Sequence, residues 1–341
     1  MTLCIGWVQG EAVYLIADSA LTGSAAPTNL QSSFGETHRR IRGDFVEEGL
    51  FKLAPIGSEA AAAFAGNWEC AEQIRDFLMQ NWCVLDGDID ALQVALSKAF
   101  YPSIEEFEVS FLLAWRTKDG PKLAHWVPSS GFRYCDQCSI GSASDSLLQL
   151  LERSVLEMRR SGIPEQHVLP AMSAFAQSLG VHDDLLEQNI GGAMFGVQVD
   201  QNGVSWQPDT AYVLCRRGAP AGDVIRLCLR GDALVVQSPF STWKVLMNGA
   251  VSDWKKWVAR WKGVIDSEVL RDHCPYVVFV RKDARVVTIV ERVPGTSGRF
   301  MRFRAAAGDL HLDVTEELIS WSEREQRQGY LVDVQFLTER V

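Results

Sequence analysis

Short apolar runs separated by turns dominate the first two thirds of the chain. Runs at 2–8 and 11–18 flank Gln9 and Gly10 and predict a hairpin of two largely buried strands. From Gly23 to Gly49 the residues become small and polar, with Pro27 and a charged THRRIRGD segment, which predicts a long loop. Strand patterns resume at Phe51–Ile56 and Ala60–Ala65, and Gly66 and Asn67 then precede helical stretches at about Glu69–Trp82 and Ile89–Phe100. Three antiparallel strands are predicted at Phe107–Arg116, Lys122–Val127 and Phe132–Ile140. Leu147, Leu148, Leu151, Val155 and Met158 recur at helical spacing, Gly162-Ile163-Pro164 breaks that run, and Val168–Leu179 forms a further helix. Strands follow at Ala193–Val199, Val204–Gln207 and Tyr212–Cys215.

Strands, two helices, strands, two helices and strands again is the order of an α+β domain. Such an order can fold as two antiparallel sheets packed face to face with a helix pair over each outer face, and a four-layer αββα sandwich is expected. At 341 residues the chain exceeds one ordinary core and predicts two domains, 2–216 and 219–341. The second reads as a small α+β module, with strands at Val224–Leu229, Ala233–Gln237, Tyr276–Val280, Val286–Val293 and Arg299–Phe303. Its helices are expected at Asp253–Trp261 and Thr315–Glu325. On the first of these, Trp254, Trp257 and Trp261 share one face and Lys255, Lys256 and Arg260 the other. That stripe fits a core-facing helix, and it equally fits one that docks on a partner or a membrane surface.

Composition narrows the function classes. A hydrophobic content of 47% against 22% charged residues gives enough apolar volume for folded cores throughout. The formal charge of −10 argues against nucleic acid as a partner, since phosphate binding needs a basic face. No run is long and apolar enough for a transmembrane segment and no signal-peptide pattern opens the chain, so a cytoplasmic protein is expected. Eight cysteines in such a chain are expected to be reduced thiols. Cys135-Asp-Gln-Cys138 has one CxxC spacing without the second ligand pair of a zinc site. With the histidines scattered and no phosphate-cradling glycine loop, neither a metal nor a cofactor is expected.

Thr2 follows the initiator Met, and a residue that small permits Met removal, leaving a free α-amine beside a hydroxyl. Sixteen residues on, Asp18 ends the segment TLCIGWVQGEAVYLIADSALT, and Lys52 precedes the Gly66 of FAGN by fourteen. SIGSAS carries Ser142, and EQNIGGAMFGVQV carries Glu187, Gly191 and Gly192. In these five elements, their order and the two spacings, residues 2–216 resemble the proteasome β-subunit and its bacterial relatives among the N-terminal-nucleophile hydrolases.

The resemblance implies a threonine-type amide hydrolase, acting on peptides and assembling with copies of itself. Thr2 is then the nucleophile and its amine the base, since that amine titrates near roughly 7.7–8. Lys52 disfavours protonation of the amine, and Asp18 holds Lys52 charged and in place. The Gly66 backbone N–H faces the developing oxyanion, while Ser142 and Glu187 orient the amine or its water. Leu21, Phe64 and Trp68 correspond to the substrate pocket. The family carries Asp where Glu187 stands, Ser where Ile190 stands and Arg where Ala20 stands. Two other functions use the same residues: an amidase for a small metabolite, and a catalytically silent scaffold that binds a protein partner through the C-terminal module.

Overall fold

The computed structural model describes residues 2–23, 31–41, 44–85, 87–100, 106–160, 162–183, 185–215, 223–230, 233–247, 274–281, 286–293, 297–306, 309–313 and 319–320. Among the described residues, four sheets and four helices make up a mixed α+β structure in which strands predominate. Strands β1 (Leu3–Gln9) and β2 (Ala12–Ala17) form the expected hairpin. The first sheet extends this hairpin with β11 (Gln137–Gly141), β12 (Phe195–Asp200) and β13 (Gly203–Trp206), in the order β11-β1-β2-β12-β13. A second sheet runs β10 (Gly131–Tyr134), β9 (Gly120–Val127), β8 (Val109–Thr117), β7 (Ala60–Gly66), β6 (Leu53–Pro55). Strands β1 and β2 lie against β7, β8 and β9 of this second sheet.

Alternation along β7 and β8 explains why they read as continuous apolar runs. Ala61, Ala63, Ala65, Leu112 and Ala114 point into the core shared with the first sheet. Ala60, Ala62, Phe64, Phe111, Leu113 and Trp115 point the other way, into a core closed by α1 (Trp68–Asn81) and α2 (Ile89–Ala99). Helices α3 (Asp145–Arg160) and α4 (Glu165–Asp183) cover the first sheet, α3 against β1 and β11, α4 against β12.

The region after residue 209 departs furthest from expectation. Strand β14 (Thr210–Cys215), read from sequence as the last of the first domain, belongs to a nine-stranded sheet. It pairs with β15 (Asp223–Arg230) on one side and, in parallel, with β18 (Tyr276–Arg281) on the other. Beyond β15 lie β16 (Ala233–Ser238) and the edge strand β17 (Thr242–Met247). Beyond β18 lie β19 (Val286–Val293), β20 (Ser297–Ala306) and β21 (Asp309–Asp313). Strand β22 (Ile319–Ser320) pairs with β20; these two residues fall within the helix expected at 315–325, and the rest of that range lies outside the described residues. The tryptophan helix at 253–261 lies outside the described residues.

This large sheet rests on the helices. Strands β18 and β19 contact α4, and β21 contacts α3. Helix α4 is therefore covered on both sides, and every residue from His167 to Val181 is buried. Pro170 within it has no N–H for the Gln166 carbonyl, and the Tyr276 hydroxyl of β18 donates to that oxygen at 3.4 Å instead.

Two further corrections concern chain path. The expected loop at 23–49 contains a small sheet of β3 (Ala20–Gly23), β5 (Asp44–Glu48) and β4 (Arg39–Ile41). The expected single strand at Phe132–Ile140 is two strands in different sheets. β10 pairs with β9 and β11 with β1, and the chain crosses between sheets at Cys135 and Asp136. Among the described residues no helix is long and apolar enough to cross a membrane.

Candidate active site

Where β1 begins, its first residues meet the end of β2. Asp18 follows β2 and turns its carboxylate back under the chain start, so that Oδ1 accepts from the Leu3 N–H at 3.0 Å. The same oxygen accepts from Lys52 Nζ at 2.7 Å, and the two side chains are 0% and 2% exposed. Oδ2 accepts from the Ala20 N–H at 3.2 Å and the Gly191 N–H at 3.1 Å. A carboxylate removed from water at this depth needs such partners, and Asp18 has three backbone donors and one cation.

Thr2 is held from the other side. Its carbonyl accepts from the Ser142 N–H at 2.8 Å, and Leu3 pairs with Gly141. A Cβ on Gly141, whose φ is +116°, would collide with the Thr2 carbonyl, so this approach requires glycine. Lys52 is fixed through its own carbonyl, which accepts from the Phe64 N–H at 3.1 Å. Gly66 ends β7 at an exposed position with φ +106°, and a Cβ there would collide with the Glu108 carbonyl. Asn67 then caps α1 by accepting from the Cys70 N–H, so the FAGN motif is a strand end joined directly to a helix start.

The structure thus gathers Thr2, Asp18, Lys52, Gly191 and the Ser142 backbone. The Ser142 side chain is exposed. Glu187 belongs to the 3-10 turn Leu185–Gln188, and its side chain lies outside the described residues. The three expected pocket residues separate. Phe64 is buried in the helix-side core against Phe111, with ring centroids 5.7 Å apart, and half-buried Trp68 packs on the same core. Leu21 is a half-buried residue of β3.

Sequence reasoning missed a second layer of buried groups. The N–H groups of four consecutive residues each meet a buried side-chain acceptor. Gly191 donates to Asp18, Gly192 to Glu36 at 2.7 Å, Ala193 to Glu48 at 2.8 Å, and Met194 to the Gln177 amide oxygen at 2.7 Å. Glu48 also accepts from the Ser33 N–H and hydroxyl and from Lys244 Nζ at 3.1 Å, Lys244 being a residue of β17. Acidic residues in a polar stretch carry no sequence signal for burial. Cys4, two residues from Thr2 on β1, donates its thiol to the Phe64 carbonyl at 3.3 Å. Burial pushes that thiol's pKa up, with Lys52 opposing and Asp18 adding to the rise.

Two other features lie apart from this cluster. A cavity of about 290 Å³ between α2 and the β9–β10 turn is lined by Asp90, Gln93, Ser130, Phe132 and Tyr134. At the sheet crossover, the neighbouring Cys138 thiol holds the Cys135 thiol below its ordinary range, whereas that neighbour and burial push Cys138 up. Compared with known proteins, the chain matches no protein-family model and no curated sequence.

Proposed function

We propose that the chain is an N-terminal-nucleophile hydrolase with an αββα core, which cleaves amide bonds through Thr2 once Met1 is removed. The observation that carries this reading is the buried Lys52–Asp18 pair at 2.7 Å, whose carboxylate also takes the Leu3 N–H directly behind Thr2. A cation beside the chain start disfavours a second positive charge, and that keeps a free α-amine able to accept a proton. The packing of the two sheets and two helix pairs is in keeping with the αββα arrangement.

In this mechanism Thr2 Oγ attacks the amide carbon while its proton passes to the α-amine. The resulting oxyanion accepts from the Gly66 N–H, where loss of one donor typically costs roughly 10²–10³ in rate. Collapse breaks the C–N bond, the leaving amine takes the proton, and water then hydrolyses the Thr2 ester. Peptides are the proposed substrate class, with self-association of the chain as in the family it resembles.

A second reading, the catalytically silent scaffold, is favoured while Met1 is in place, when Thr2 is 3% exposed. Intact mass spectrometry before and after a peptide epoxyketone separates the two. A Thr2 adduct on protein lacking Met1, absent in Thr2→Ala, is the expected result; an unmodified, folded protein lacking Met1 rejects the hydrolase reading.

A further inference from the structure

We infer that β17, the edge strand of the C-terminal sheet, positions the Lys52–Asp18 pair, with Lys244 as its positioning residue. The inference rests on the hydrolase reading. It gives the C-terminal region a part in bond cleavage, whereas the hydrolase motifs all lie before residue 193.

The geometry centres on the segment that leads from β5 into Lys52. Strand β17 grips it near both ends. At one, Lys244 Nζ lies 3.1 Å from Glu48 Oε2 and 3.5 Å from the Glu48 carbonyl oxygen. At the other, the Phe51 N–H, immediately before Lys52, donates to the Met247 carbonyl at 3.3 Å. Between them the N–H groups of Gly49 and Leu50 donate to the Ser19 carbonyl, next to Asp18, at 3.0 and 3.1 Å. The backbone carrying Lys52 is thus clamped between the chain that carries Asp18 and the edge of the C-terminal sheet.

A second route runs through charge. The Glu48 side chain is 0% exposed, so its carboxylate depends on what the protein supplies. Lys244 supplies the cation. Oε1 of the same carboxylate accepts the Ala193 N–H, and Asp18 Oδ2 accepts the Gly191 N–H two residues earlier. Both carboxylates therefore hang from one short backbone turn. Without Lys244 the buried Glu48 carboxylate has lost its cation and moves toward water, which loosens the segment that donates to Asp18. Reacting groups tolerate little displacement, since a misplacement of about 1 Å can cost on the order of a hundredfold in rate.

The test uses the full chain with Met1 removed and a fluorogenic peptide amide as substrate. Lys244→Met, Lys244→Arg and Thr2→Ala are compared with the wild type for kcat, KM and circular dichroism. We expect Lys244→Met to lower kcat about ten- to a hundredfold with KM changed less than about twofold, and Lys244→Arg to recover most of the loss. If Lys244→Met does not fold, Lys244→Gln, which keeps a donor for Glu48 without the charge, carries the same comparison. Wild-type kcat in the folded Lys244→Met or Lys244→Gln protein, while Thr2→Ala is inactive, overturns the positioning role alone. A kcat that falls only in proportion to the folded fraction overturns it too. Absence of Thr2-dependent turnover in the wild type overturns the hydrolase reading and the positioning role with it.

Discussion

Asp18 is where the residue-scale physics concentrates, because one buried carboxylate there serves four donors from four parts of the chain. Removing one member of a buried ion pair leaves an uncompensated charge and typically costs about 3–5 kcal/mol. Lys52→Met is therefore expected to lower stability by about 3 kcal/mol in urea denaturation, with part of the loss recovered in the Lys52→Met, Asp18→Asn double variant. A Lys52→Met protein as stable as the wild type would show that the pair is not buried in solution. Gly66→Ala meets both a positive φ and the Glu108 carbonyl, and its expected cost is about 1–3 kcal/mol by the same measurement. At the sheet crossover, the lowered Cys135 thiol forms its thiolate at lower pH than Cys138. Iodoacetamide labelling across a pH series should thus modify Cys135 first, and the reverse order in peptide mass spectra would contradict this assignment.

At the scale of elements, legibility followed how much each segment's burial depends on its own neighbours in sequence. The β1–β2 hairpin, β7, β8 and the helices α1 to α4 could be read because hydrophobic periodicity, and for α1 the Gly66-Asn67 break before it, are local signals. Asp18 and Lys52 were singled out through their spacing, and the structure brings these two together. The split of 132–140 into β10 and β11 could not be read, because what divides it is pairing with β9 and β1 far along the chain. Glu36 and Glu48 were illegible for the same reason: their partners are backbone N–H groups at 192 and 193 and a lysine at 244. Helix α4 was expected at Val168–Leu179 and extends to both sides of that range, although Pro170 interrupts its hydrogen-bond ladder. Tyr276→Phe should cost about 1–2 kcal/mol, and less when Pro170→Ala restores an N–H to the Gln166 carbonyl. Equal costs in the two backgrounds would mean that the tyrosine does not substitute for the missing bond.

For the molecule as a whole, the nine-stranded sheet and the first sheet share one helix layer, with α3 and α4 between them. A chain ending at residue 216 keeps every motif of the proposed hydrolase but bares the second side of α4. It is expected to aggregate in light scattering and to lose cooperative melting; a monomeric, cooperatively melting fragment would show that the layers are independent. The same layering bears on synthesis. The strands that cover α4 start with β18, which begins 93 residues after α4 ends (276 − 183). Ribosomes adding roughly 5–20 residues per second need about 5–20 s to make that stretch. Once β13 completes the first sheet at Trp206, an apolar helix waits with one side open for the rest of that interval, so the nascent chain is most exposed to chaperones and to self-association after its motifs are complete.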